Sequence, residues 1–417
     1  MKKTNNFAVI ILISLFMNTL LKKIGLPLLC LAALGLSSCT QSKYSYETVP
    51  NDPLQARIYT LDNGLKVYMT VNKDEPRIQT YIAVRVGGKN DPAETTGLAH
   101  YFEHLMFKGT NHFGTMNYEI EKPLLDQIEQ TFEIYRKTTD EAERKAIYHT
   151  IDSLSYEASK YAIPNEYDKL MAAIGANGTN AYTSFDVTCY TEDIPSNEVE
   201  NWAKIQADRF KNCVIRGFHT ELETVYEEKN MSLTPDARKV YEQTLAALFP
   251  HHPYGTQTVL GTQEDLKNPS ITNIKNYYKT WYVPNNMAIC LSGDFDPDQM
   301  IATIDKYFGD MQPNPNLPKL NLPKESDITA PVVREVLGPE AENVTLAWRF
   351  PGAASKELET LQILSQILYN GQAGLIDLDL MQQQKTLSAY CYPMTMSDYS
   401  AFMMAGRPKA GQTLDEV

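Results

Sequence analysis

Apolar and polar positions change period several times along the chain, and each change marks an element. Residues 58–60 and 65–71 are β-type runs on either side of Asp62-Asn63-Gly64, and Asn-Gly between such runs predicts a tight hairpin. Ile78, Thr80, Ile82, Val84 and Val86 recur at every second position, so 78–86 predicts a strand with one buried face, ending at Gly87-Gly88. From 97 to 110 the period becomes helical. Leu98, Phe102, Leu105 and Met106 form one stripe, as a helix packed on a sheet requires, and Gly109 offers a stop. Residues 118–163 predict two charged amphipathic helices joined at 138–141, where Thr138 and Glu141 suit a capping box; the pair reads as an inserted helical hairpin.

Alternation returns over 179–190, predicting a strand with Phe185, Val187 and Cys189 on one face. Helices are expected at 197–210 and 220–231, then a strand at 287–293 and a helix at 298–308. Pro313, Pro315, Pro318, Pro323 and Pro331 space out a linker. Beyond it, a strand at 344–350 and a helix at 356–369 repeat the strand-then-helix order, with Leu361, Leu364, Ile367 and Leu368 expected in a core.

Residues 1–38 read as targeting sequence: Lys2 and Lys3, an apolar run over 7–16, Lys22 and Lys23, then an apolar run over 24–36. The second half is a complete signal by itself, so Met17 is an alternative start. Leu36-Ser37-Ser38-Cys39 resembles the bacterial lipobox, which makes Cys39 the expected acylated residue and 39–53 a tether; an ordinary cleaved signal is the alternative. Neither apolar run is long enough for a spanning helix. The expected location is the cell envelope, exported and lipid-anchored, on the periplasmic or outer-membrane face.

Of 417 residues, 43% are hydrophobic and 21% charged, which suits a folded chain of two or three domains. Lys and Arg number 38 against 51 Asp and Glu, and no basic block interrupts the folded segments, so a nucleic-acid partner is not expected. The six cysteines form no C-x-x-C pair, so neither a cysteine zinc knot nor a disulfide scaffold is indicated.

The chemistry lies in the polar stripe of the helix at 97–110. His100, Glu103 and His104 stand in the order H-x-x-E-H, a zinc-site signature. At about 100° per residue, His104 lies about 40° from His100 and Glu103 about 60° to its other side, so all three project from one face. Burying them without partners would cost several kcal/mol, which a bound cation offsets. A catalytic zinc needs a third protein ligand and one open position. In the helix at 220–231, Glu221 and Glu228 share a face and Glu227 is turned about 100° away. Alone this is a solvated acidic face; beside His100 and His104, Glu228 becomes the third ligand and Glu221 a group behind it.

Taken together, GLAHYFEHLMFKGT at 97–110, NAYTS at 180–184, ELETVYEE at 221–228, HPYG at 252–255, LGTQEDL at 260–266, YVPNNM at 282–287 and SGDFD at 292–296 resemble the inverted-zincin peptidases of the insulinase and pitrilysin family, which includes the mitochondrial processing peptidase β subunit. The resemblance covers nearly everything from about residue 57. It implies one Zn2+ held by His100, His104 and Glu228, Glu103 as general base, Glu221 supporting the ligands, and Asn180 and Ala181 contacting substrate backbone. The long gap between His104 and Glu228 is accounted for by the helical insertion.

The implied fold is α/β (α+β): a duplicated domain of mixed, mainly antiparallel sheet packed with helices, the second copy incomplete. The expected plan is a leader (1–38), a tether (39–53), a catalytic domain (54–312) with its insertion at about 118–163, a Pro-rich linker (313–328), and a partial homologous domain (329–417) that lacks H-x-x-E-H. The last is too short for a full copy, so the chain reads as truncated, with a missing C-terminal half or partner subunit expected to close the site and supply an Arg and a Tyr. The implied activity is zinc-dependent endopeptidase action on extended or unfolded peptides. The rival is a non-catalytic partner subunit of a hetero-assembly. A third reading, a structural metal, requires a fourth ligand, and His112 is the only spare histidine nearby.

Overall fold

The hairpin at Asn63-Gly64 opens the fold. In the computed structural model, which describes residues 43–417, β1 (Tyr46–Thr48) pairs with β2 (Arg57–Thr60), and β2 turns back into β3 (Lys66–Val71), all antiparallel. The leader and Cys39 lie outside the described residues. β4 (Arg77–Val84) buries Ile78, Thr80, Ile82 and Val84 completely, as the alternation requires.

Next come α1 (Leu98–Leu105), α2 (Tyr118–Lys137), α3 (Glu141–Ser159) and α4 (Glu166–Ala173), then β5 (Asn177–Thr183) and β6 (Thr188–Pro195). α5 (Val199–Asn212), α6 (Phe218–Ser232), α7 (Asp236–Leu248), α8 (Pro253–Thr256), α9 (Gln263–Lys267) and α10 (Ile271–Trp281) precede β7 (Met287–Gly293) and α11 (Pro297–Phe308). The first sheet has the order β1-β2-β3-β7-β4-β6-β5, and only the β3–β7 pair is parallel. After a stretch without helix or strand, β8 (Val344–Pro351), α12 (Glu357–Leu368), β9 (Ser388–Thr395) and β10 (Tyr399–Arg407) form a second sheet, β8-β10-β9, wholly antiparallel. The mixed, mainly antiparallel class inferred from the sequence is the one observed.

Packed on the first sheet is a layer of rings. Phe102 of α1 meets Tyr282 edge-on at 4.7 Å, and Tyr190 of β6 meets Phe210 of α5 at 5.3 Å. Such pairs add to area burial; here they fix α1 against the residue that ends α10 and α5 against β6.

Four expectations need correction. Within 39–53, expected as a tether, Tyr46–Thr48 is already a strand of the sheet, pairing with β2. Residues 179–190 are two strands, because the chain reverses at 184–187: Ser184 N–H donates to Val187 O at 2.8 Å, and Ser184 Oγ accepts from Asp186 N–H at 3.2 Å. The alternation ran on across the turn and hid it. At 138–141 the cap is Asp140, whose carboxylate accepts from Glu143 N–H at 2.8 Å, while Thr138 Oγ1 donates back to Ile134 O at 3.0 Å and closes α2. Of the four residues expected in a core on α12, Leu361 is buried and Leu368 packs against the same cluster, but Leu364 and Ile367 are exposed. The three-stranded sheet covers one face of that helix only.

Candidate metal centre

α1 is gripped at both ends before its side chains are considered. The Asp91 carboxylate accepts from the N–H groups of Gly97 at 2.8 Å, Leu98 at 3.1 Å and Ala99 at 3.0 Å, satisfying donors that a helix start leaves orphaned. Gly97 has φ 83°, and a Cβ there would meet Leu260 O at 2.7 Å, so glycine is required twice over. At the other end, Arg209 Nε donates to Met106 O at 3.0 Å. Tyr101 OH donates to Phe218 O and ties α1 to α6.

Held in this way, His100 and His104 present rings 4.7 Å apart and inclined at 68°. From α6, Glu228 Oε2 lies 3.6 Å from His100 Nε2 and 3.4 Å from His104 Nε2, and the three donor atoms all lie within 4.8 Å of one another. Bonds of 2.0–2.1 Å in a tetrahedron give ligand-to-ligand edges of about 3.4 Å. The spacing therefore suits a common cation better than direct hydrogen bonds, and the donor set of two imidazoles and a carboxylate suits zinc.

Glu221, two turns before Glu228, does a different job. Its Oε1 accepts from His104 Nδ1 at 2.8 Å and its Oε2 pairs with Lys108 Nζ at 2.5 Å. The bond to Nδ1 fixes the imidazole so that Nε2 faces Glu228. Glu103, at 7% exposure, is not in the converging group; its Oε2 accepts from Thr183 Oγ1 at 2.5 Å. Among the described residues no fourth side chain joins the three. His112 points elsewhere, to Asp208 Oδ1 at 2.6 Å.

Electrostatics separate these groups. Burial, aided by neighbouring His104, pushes His100 down to about 3, which leaves a neutral ring with a free lone pair. Burial also acts to lower His104, but the bond to Glu221 and the charges of Glu221, Glu103 and Glu228 outweigh it and raise that ring. Burial would raise Glu221, yet His104 and Lys108 hold it below the usual carboxylate range. Glu103 goes the other way: burial raises it despite the Thr183 bond. A carboxyl raised in this way is suited to taking and returning a proton.

The group opens into a cavity of about 930 Å³, bounded by α1, α6, α7 and β5. Asn180 and Ala181 line it from β5, which among the described residues pairs only with β6 and so forms the edge of the first sheet. Sequence reasoning missed Asp91, Lys108, Thr183 and the α7 residues Arg238 and Tyr241, which also line or support the site. Lys108 was within reach, being one turn past His104, and Thr183 stands in the NAYTS stretch; nothing local distinguishes Asp91, Arg238 or Tyr241.

A family model described as Insulinase (Peptidase family M16) matches residues 66–123, and one described as Peptidase M16 inactive domain matches 270–417. The chain is 23% identical over 393 residues to the zinc protease PqqE of Helicobacter pylori, covering 91% of this chain and 74% of that one. It is 24% identical over 271 residues to a probable mitochondrial-processing peptidase subunit beta of Schizosaccharomyces pombe, covering 64% and 47%. Among solved structures, a protease from Helicobacter pylori superposes with a TM-score of 0.67 at 21% identity, covering 89% of this chain and 77% of that one. Pitrilysin does so at 0.61 and 17%, covering 88% and 36%. The chain thus spans about three quarters of the Helicobacter pylori proteins and less than half of the other two.

Proposed function

Since the chain belongs to the insulinase family, peptidase family M16, we propose that it is a zinc-dependent endopeptidase acting on extended or unfolded peptides. The observation that carries this reading is the convergence of His100 Nε2, His104 Nε2 and Glu228 Oε2, beside Glu103, in a cavity walled by a sheet edge.

A zinc ion held by His100, His104 and Glu228 would supply Lewis-acid chemistry, activating water near neutral pH and polarising a carbonyl. Glu103 takes the proton from the attacking water and delivers it to the leaving amine, and the Thr183 hydroxyl fixes the direction of its carboxylate. Glu221 orients His104 and, through Lys108, keeps its own charge. Asn180 and Ala181 offer the free backbone edge of β5 to an extended peptide, a mode that reads main chain before side chains. The inactive-domain match begins at residue 270, beyond all of these groups, and does not bear on them. A C-terminal half or partner subunit closing over the cavity fits the same reading, as the source of further oxyanion donors.

One set of measurements tests the centre. The purified chain is expected to carry one zinc, to lose peptide cleavage on chelation and to regain it with added zinc. Glu228→Gln should weaken zinc binding by more than the roughly 10- to 100-fold that follows loss of a group merely supporting a ligand. Glu227→Gln should leave it unchanged, and equal effects of the two would overturn the ligand assignment.

The reading includes export and acylation at Cys39. Cys39→Ser is expected to move the protein from the membrane to the soluble fraction, and labelling with a radioactive fatty acid should vanish. Label retained on the variant would exclude that anchor.

A further inference from the structure

The turn that ends β5 is held by the second sheet. Phe185 is buried in a core that joins Leu245, Phe249 and Tyr254 to Met396, Ala401 and Met403 of the β9–β10 region. Asp186, the next residue, takes Lys89 Nζ and the Tyr254 hydroxyl, each at 2.7 Å, on Oδ1, and Ser397 N–H at 2.9 Å on Oδ2. Asp398 completes the cluster. Its Oδ2 lies 2.7 Å from the same Lys89 Nζ, and its N–H donates to the Tyr254 hydroxyl at 3.1 Å. Lys89 is thereby shared between a residue of the β5–β6 turn and a residue of the β9–β10 turn, with its side chain 13% exposed. The Gly88 and Lys89 N–H groups donate to Ser184 O at 2.9 Å and Phe185 O at 3.1 Å, so this loop grips the turn through backbone as well.

The turn is not remote from the cavity. Thr183, which bonds Glu103, immediately precedes it, and Asn180 to Phe185 all line the cavity. A shift of Asp186 therefore reaches Ala181 through the few residues of one short strand, whose other edge pairs with no strand among the described residues.

We propose that Asp398, on the turn between β9 and β10, is a positioning residue for peptide: through Lys89, Tyr254 and Asp186 it fixes the edge strand on which the peptide pairs. The second sheet then sets peptide affinity without touching the metal ligands. A contact that only fastened the second sheet would leave β5 unchanged when lost. The inference deepens the peptidase reading and rests on it.

The test uses the full chain with Asp398→Asn and Asp398→Ala, and Lys89→Met as an independent approach to the same cluster. Hydrogen exchange of residues 177–183 is expected to quicken, and KM for an unstructured peptide to rise, each by about tenfold, the scale of one lost charge-assisted contact. The kcat should stay within about threefold and zinc content should not change, because the ligands and Glu103 are untouched. The dissociation constant of the same peptide, labelled and measured by anisotropy in the Glu103→Gln background, should rise in step with KM. Unchanged exchange in β5, or faster exchange there with unchanged peptide affinity, overturns the proposal. Should the wild-type chain hydrolyse nothing while exchange and the dissociation constant shift as stated, the positioning role stands and the peptidase reading falls.

Discussion

Glu103→Gln is expected to keep one zinc per chain and to lower hydrolysis of an unstructured peptide by about 10²- to 10⁴-fold, the range that a positioned general base contributes. Glu103 shares α1 with both histidines, yet the donor atoms that converge belong to His100, His104 and Glu228, and the Glu103 carboxylate is engaged by Thr183 at 2.5 Å. Glutamine has the same shape and can still accept that hydroxyl, so packing and metal affinity should survive while the proton acceptor is lost. Metal analysis and single-turnover cleavage on one preparation decide the matter. Loss of zinc in the variant would make Glu103 a ligand and sink its assignment as the base.

Arg209→Met should cost about 3–5 kcal/mol of stability, the range seen when one partner of a buried charged pair is removed. Arg209 has no exposed surface and lies 3.8 Å from an equally buried Glu192. Its Nη1 donates to Tyr167 OH at 2.6 Å, and its guanidinium sits 4.3 to 4.5 Å from the rings of Phe107, Tyr167 and Tyr190. Methionine fills part of the space but leaves the Glu192 charge without its cation. It also leaves Met106 O, at the end of α1, without its donor. Arg209→Lys should fall between, keeping the charge but not the planar fork that bonds and stacks at once. Urea unfolding monitored by circular dichroism reads the effect; an unchanged midpoint for Arg209→Met would show that the pair contributes nothing net.

What the sequence made legible was whatever repeats within a few residues. The 3.6-residue period puts His100, Glu103 and His104 on one face of α1, and the two-turn interval puts Glu221 and Glu228 on one face of α6; the structure brings those two faces together. Asn-Gly marked the first hairpin because its chemistry is local. Arg209 was invisible for the opposite reason, since it acts on α1 from about a hundred residues away and stands in no motif; Asp91 caps α1 from an irregular loop with no capping spacing, and Thr183, though inside the NAYTS stretch, acquires its role only when β5 meets Glu103. The β5–β6 turn was hidden by an alternation that continues through it. Leu364 and Ile367 look like core by type alone, and only the extent of the second sheet shows that nothing covers them.

The one parallel pairing of the first sheet has a consequence for the order of assembly. β7 lies between β3 and β4, with Lys66 opposite Ala288 on one side and Val84 opposite Met287 on the other. A ribosome that has just released Glu228 has delivered every proposed ligand but not the strand that joins β3 to β4. Until residue 293 emerges, the platform under α1 is two separate fragments, each with an unpaired edge. Contacts of such sequence separation close late and leave edges open meanwhile. The nascent chain thus carries the full set of proposed metal ligands well before it has the means to hold them in register.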